Sequence, residues 1–176
     1  MKTKELVKSA LGAALLSVSA WITVPATVPF TMQTFMLSLL LLTVGANVTL
    51  FSTLVYLLVG ALGIPVFSGF GGGVGILFGP TGGYLIGFLF FPLFGLLFQK
   101  AARKTPKWQY LPCALGLSFC YLFGSLQFVL VAEKSLRFSS LLSAFSVCVL
   151  PFIPADIVKI ALAAVVAKRL KTKIVS

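Results

Sequence analysis

The sequence predicts an all-α integral membrane protein: a compact six-transmembrane-helix bundle with external lid loops over an outward-facing pocket. Three observations lead there. Of the 176 residues, 59% are hydrophobic and 10% are charged, against roughly 45–50% and about 25% in soluble domains. So few polar side chains cannot cover a globule in water. Residues 9–99 then run ninety-one in a row without a formal charge, a stretch that suits only lipid. Lastly, proline and glycine signals cut the chain into lengths close to the roughly 20 apolar residues that a bilayer crossing needs.

The whole chain, 1–176, reads as a single domain with no internal repeat and no low-complexity tail. The first span covers about 6–24. Basic residues precede it, and Val18-Ser19-Ala20 resembles a small-residue cleavage site. Further apolar runs follow at once, so residues 9–24 are read as a retained first helix. Pro25 to Phe30 is a proline-punctuated loop. The second span, about 31–44, ends near Gly45-Ala46-Asn47, and the third covers about 47–62. A glycine-rich loop from Gly63 to Pro80 leads to the fourth, about 81–99, where Pro92 predicts a kink. Lys100, Arg103, Lys104 and Lys107 form a basic loop before the fifth, about 108–131. Glu133, Lys134 and Arg137 come next. A single helix from 139 to 169 would be about 46 Å long, too long for one crossing, so Pro151 and Pro154 predict a break. The last span is about 154–170, followed by a basic tail.

The net charge of +11 does not signal nucleic acid, because the bases flank apolar runs instead of lining a solvated face. In the six-span arrangement, Lys2, Lys4 and Lys8, the 100–107 loop and the C-terminal tail share one side. They hold eleven of the fourteen bases. The opposite side receives Lys134 and Arg137. Cytoplasmic loops carry the excess of Lys and Arg, so both termini are expected in the cytoplasm and the protein in the cytoplasmic membrane. Trp108 and Tyr110 suit the inner interface, and Trp21 the outer one.

Several function classes drop out. There is no His, and Cys113, Cys120 and Cys148 all sit in apolar segments without a C-x-x-C, so no metal or other cofactor is expected. No Ser-His-Asp set and no phosphate-binding G-x-x-x-x-G-K-[ST] loop is present. The chain is not expected to be an enzyme, and any ATP use must belong to a partner.

The proline loop, the glycine loop and the Pro151/Pro154 break converge on the external face. Irregular backbone at membrane depth is tolerated where it lines a cavity. Asp156 and Lys159 are the ionisable residues that fall within a span. Three apart, they share a helical face, and a charge there costs about 2.5–3.5 kcal/mol on insertion scales. They read either as a structural salt bridge or as a binding site that closes on itself when empty. Gln33 offers a buried amide for a ligand or for a neighbouring helix. Thr81 can cap the fourth helix, whose N-terminus suits a carboxylate, although Gly82-Gly83 can equally serve tight helix packing. Phe67, Phe70, Phe78 and Tyr84 can wall an apolar slot or face core or lipid. Small residues on the first helix fall in two registers, Ser9/Ala13/Ser17 and Ala10/Ala14. Either can serve packing within the bundle or docking of a partner protein.

Four stretches together resemble the BioY family, the biotin-specific substrate-binding subunits (S components) of energy-coupling-factor transporters. They are Val28-Pro29-Phe30-Thr31-Met32-Gln33-Thr34, Gly60-Ala61-Leu62-Gly63-Ile64-Pro65-Val66-Phe67, Gly79-Pro80-Thr81-Gly82-Gly83-Tyr84-Leu85-Ile86-Gly87-Phe88, and Pro151-Phe152-Ile153-Pro154-Ala155-Asp156 with Lys159. They stand in the family's order and spacing over residues 9–170. The resemblance implies a six-helix membrane protein that binds biotin from outside. It also implies two kinds of partner, a transmembrane coupling subunit and a pair of ATP-binding-cassette ATPases, with small residues of the first helix, Ala10 and Ala14 foremost, on the coupling subunit. Ala155 stands where the family more often has glycine, and Gly45-Ala46-Asn47 is less basic than usual.

With biotin as ligand, Asp156 is expected to accept from a ureido N–H. Lys159 is expected to donate to the ureido carbonyl or to the carboxylate. Thr31, Gln33, Thr81, Tyr84 and backbone N–H groups of Gly73 and Gly79–Gly83 complete the polar set, and Phe67, Val74 and Phe78 flank the ring. The rival from another class is a self-sufficient ion-coupled secondary transporter of a small carboxylate-bearing solute, coupled through Asp156. One acid and no apparent inverted repeat make a thin basis for it.

Overall fold

The computed structural model describes residues 3–25, 28–133, 145–146 and 149–175. Lys134, Arg137, Cys148 and much of the apolar stretch 139–150 lie outside the described residues. Helix α1 (Thr3–Trp21) stops before the expected residue 24. Pro25 and Pro29 disfavour helical backbone at the residues before them, and the chain turns into a small hairpin. Its strands, β1 (Thr23–Val24) and β2 (Phe30–Thr31), pair antiparallel with Thr23 opposite Thr31. This hairpin is a departure from an all-α chain, although the molecule is mainly helical.

Helices α2 (Gln33–Thr43) and α3 (Ala46–Ala61) meet at Gly45, whose φ of 91° lets the chain reverse. The glycine-rich segment after α3 is folded, not a free linker. It holds an isolated bridge between Phe67 and Gly71, a 3-10 turn at Ser68–Phe70 and the single-turn helix α4 (Val74–Leu77). Next come α5 (Gly82–Gly87) and α6 (Phe90–Lys104). They are two pieces because Pro92 has no N–H for the Phe88 carbonyl one turn back. That carbonyl instead accepts from Phe91, and Leu89 bonds Ile86, so the helix tightens where the kink was expected. A 3-10 turn (Pro106–Gln109) precedes α7 (Leu111–Phe128), which ends in a π-turn at Val129–Glu133. Helix α8 (Ile153–Val175) opens with Pro154 in its first turn, where a missing N–H costs nothing.

Helix α1 packs on α3, α2 on α8, and α5 and α6 on α7. Close approach explains two glycines. A Cβ on Gly12 would run into Ser52 across the α1–α3 contact, and one on Gly60 would enter the Phe67 ring. Leu16, Leu37, Tyr56, Phe67 and Phe91 are fully buried.

Polarity is inverted relative to a soluble protein. Ser38, Thr49, Ser52 and Thr53 are wholly buried, whereas Leu58, Leu97, Ile157, Val158, Leu162 and Val165 face outward. Ser52 and Thr53 donate back to carbonyls of their own helix, which satisfies them without water. An apolar exterior of this kind suits lipid. Among the described residues, two helical runs, Gly82–Ala102 and Lys107–Ala132, are long and apolar enough by themselves to cross a membrane.

The two registers of small residues on α1 separate. Ser9, Ala13 and Ser17 are buried with Gly12 and Leu16, while Ala10 and Ala14 are exposed. The Ser9/Ala13/Ser17 stripe is therefore corrected to an internal packing face, since a surface already covered inside the bundle cannot also dock a partner.

Candidate functional site

One end of the bundle gathers the hairpin, the start of α2, the start of α8, the middle of α7 and the glycine-rich segment around a cavity of about 70 Å³. Its polar wall follows from local sequence. Pro154 starts α8 and puts Asp156 in the first turn, where the helix dipole favours a carboxylate. Lys159 follows one turn later. Both are buried, at 4% and 5% exposure. The Lys159 Nζ lies 2.8 Å from Asp156 Oδ1. It also donates to the Thr31 carbonyl at 2.7 Å and sits 3.3 Å from the centre of the Phe30 ring. The β-hairpin supplies both contacts. Phe30 in turn stacks on Phe152, with ring centres 5.6 Å apart.

The carboxylate is equally well met. Thr34 donates its hydroxyl to Oδ1 at 2.8 Å, and the Tyr121 hydroxyl donates to Oδ2 at 2.5 Å. Four segments thus converge on one buried ion pair. Burying charge is costly unless every partner is present, and here each oxygen and the ammonium has at least one.

Gln33 lines the cavity and also binds a neighbouring helix. Its Nε2 donates to the Tyr56 hydroxyl at 2.7 Å, and its Oε1 accepts from Thr31 Oγ1 at 2.9 Å. Of the two uses read from the sequence, the bond to a neighbouring helix is the one formed here.

The facing wall comes from α5 and the glycine-rich segment. Thr81, Tyr84, Leu85 and Phe88 line the cavity, with Ser68 and Ile76. Gln127 of α7 holds this wall from behind. Its Nε2 donates to the carbonyls of Leu77 and Gly79, each at 2.8 Å. A Cβ on Gly83 would meet the backbone of α7 at Phe123 and Gly124, so Gly82-Gly83 serves tight packing.

Several expected residues stand elsewhere. Phe67 is 1% exposed, under Gly60 and edge-on to Tyr56, so it packs the core and does not face the cavity. Val74 and Phe78 point outward, Phe78 at 75% exposure. Gly73 and Gly79 are not in the lining. Gly73 has a φ of 101° and its N–H donates to the Gly60 carbonyl. Phe70 stacks on Trp21, whose indole N–H donates to the Pro65 carbonyl. Thr81 occupies the cap position of α5 but makes no side-chain cap bond, which corrects the capping expectation. Its own φ and ψ are already helical, an orientation that turns the hydroxyl from the helix end.

Sequence reading missed Tyr121, Thr34, Tyr56 and Gln127. Tyr121, Tyr56 and Gln127 are lone polar groups within apolar runs, Thr34 adjoins Gln33, and each has its partner distant in sequence. The one available signal was that a Tyr or Gln mid-helix in a membrane needs a partner.

The profile of the BioY family matches residues 1–175. A probable biotin transporter BioY from Pyrococcus horikoshii is 42% identical over 172 residues, covering 97% of this chain and 98% of that protein. A biotin transporter BioY from Thermotoga maritima is 37% identical over 170 residues, covering 96% of each. A crystal structure of the S-component for biotin from an ECF-type ABC transporter matches with a TM-score of 0.82 at 27% identity, covering 97% of this chain and 92% of that one.

Proposed function

The chain belongs to the BioY family, and from that premise we propose that it takes up biotin across a membrane as the S component of an ECF-type transporter. The observation that carries this reading is the Asp156–Lys159 pair, set in a cavity at one end of the bundle and, among the described residues, the charged side chains that are buried.

Biotin offers two ureido N–H donors, a ureido carbonyl, an apolar thioether ring and a carboxylate. The site already holds a matching set. Asp156 accepts from Thr34, Tyr121 and Lys159. A ureido N–H takes the place of Lys159 on Asp156, and Lys159 turns to the ureido carbonyl or the carboxylate. Such an exchange keeps both Asp156 and Lys159 paired, which makes tight binding possible. Thr31, Gln33, Thr81 and Tyr84 remain the other polar candidates. Ile76, Leu85, Phe88 and Leu117, all in the lining, flank the ring in place of Phe67, Val74 and Phe78.

The cavity of about 70 Å³ is smaller than the roughly 300–1,000 Å³ of ordinary ligand pockets. Entry therefore requires the glycine-rich segment to swing outward as a lid. Val74 and Phe78 face outward from that segment, away from the cavity.

The wider reading is a six-span protein of the cytoplasmic membrane with both termini inside. Its partners are a transmembrane coupling subunit and a pair of ABC-type ATPases that use the ATP. Ala10 and Ala14, exposed on α1, form the face offered to the coupling subunit. The ion-coupled alternative gains no support, because Asp156 is engaged by a cation and two hydroxyls.

A thermal-shift panel of vitamins on the detergent-purified chain tests the assignment. Stabilisation by biotin alone is expected. No response to any vitamin returns the chain to an unassigned membrane bundle.

A further inference from the structure

We propose that the end of the bundle opposite the Asp156–Lys159 cavity carries a site for the phosphate headgroup of an anionic phospholipid. Two adjoining cavities of about 240 and 440 Å³ open there and share Leu42, Gln109 and Lys171. Lys107, Lys168 and Lys171 line the larger one together with the polar groups of Gln109 and Tyr110, and the rest of its lining is Leu42, Ala164 and Ala167.

The lysines converge from two parts of the chain. Lys107 sits in the 3-10 turn before α7. Lys168 and Lys171 lie three apart on α8 and so share one face. Among the described residues, no Asp or Glu lines either cavity. The Lys171 Nζ reaches Gln109 Oε1 at 3.5 Å, which draws α8 and the α6–α7 connection around the same space.

This combination selects a ligand class. Several ammonium groups around one concavity suit a phosphate, whose oxygens accept from more than one donor at once. The apolar floor of Leu42, Ala164 and Ala167 gives a free phosphate nothing, but it continues the path of a glycerol and acyl chain. Basic pockets at the polar edge of a helix bundle suit lipid headgroups for this reason. The site is separate from the vitamin cavity. Fifteen residues of α8 part Asp156 from Lys171, about 22 Å at 1.5 Å per residue. From the functional reading above, the proposal takes only that the chain lies in a membrane.

Native mass spectrometry tests it on the full chain, released from nanodiscs of equal phosphatidylglycerol and phosphatidylcholine. The wild type is expected to retain phosphatidylglycerol selectively. Lys107→Gln/Lys168→Gln/Lys171→Gln is expected to lose that retention at least tenfold. Lys4→Gln/Lys8→Gln, which removes bases that line neither cavity, is expected to keep it. Circular dichroism and size exclusion verify that the variants are folded. If the triple variant does not fold, Lys171→Gln alone is read instead, with a loss of about fivefold expected. Equal retention of the two lipids, or the same loss in the Lys4/Lys8 variant, overturns the proposal. So does displacement of the lipid by millimolar inorganic phosphate, which would assign the pocket to a soluble anion.

Discussion

The two walls of the vitamin cavity are built differently. The hairpin, α2, α7 and α8 wall is tied by directed side-chain bonds: Thr34, Tyr121 and Lys159 on Asp156, and Lys159 on Thr31. The α3–α5 wall is tied mainly through backbone, with Gly63, Gly69 and Gly73 at positive φ and Gln127 as its side-chain clamp. In a low-dielectric interior, a missing partner of a buried ion is costly, so the first wall needs a full set of partners around its ion pair. The second is held by Gln127, by the Gly73 N–H on the Gly60 carbonyl and by the Trp21 indole on the Pro65 carbonyl, none of which involves a buried ion. One wall is suited to recognise, the other to open.

Breaking the first wall should have the largest effect. Asp156→Ala leaves the Lys159 ammonium buried with only the Thr31 carbonyl and the Phe30 ring, and is expected to cost about 3–5 kcal/mol of stability, read by denaturation in detergent. Tyr121→Phe removes one charge-assisted bond and keeps the ring. An expected loss of about 1.5–3 kcal/mol is checked by the same denaturation, with biotin binding weakened in parallel. The second wall should respond in kinetics more than in stability. Gln127→Met keeps the volume but frees the Leu77 and Gly79 carbonyls. About 1–2 kcal/mol is expected, with faster amide exchange confined to residues 74–82; uniform faster exchange would deny the distinction between the walls. The smallest effect is expected from Phe78→Ala in the empty protein, within about 0.5 kcal/mol by thermal melting. A marked change in biotin dissociation by that variant would show the lid closing onto the ligand.

The same contrast governs what the sequence made legible. Asp156 and Lys159 stood out because charge is so scarce that their position alone isolates them. Helix breaks at Pro25, Gly45, Pro92 and Pro154 were readable, because proline and glycine act on their own backbone. The glycine-rich wall was not. Glycines carry no side chain to point, so neither the Phe67–Gly71 bridge nor the turn that sends Phe78 outward leaves a periodic pattern. Phe67 illustrates the limit. Its core position depends on the absent Cβ of Gly60, a contact that sequence spacing does not encode. Tyr121 and Gln127 were missed for the complementary reason. Their partners, Asp156 and the Leu77 and Gly79 carbonyls, are remote in the chain, and the packing of α5 on α7 and of α7 and α8 on α2 brings them near.

The central claim is that the Asp156–Lys159 pair recognises biotin and does not merely close the bundle. Calorimetric titration of biotin into the wild-type chain, Asp156→Asn and Lys159→Ala tests it most directly, with the folded state of each verified by size exclusion. The account predicts binding to the wild type and at least tenfold weaker binding to each variant, as expected when a charge-assisted bond worth about 1.5–3 kcal/mol is removed. Wild-type affinity in both folded variants would contradict it and leave the ion pair a purely structural bond.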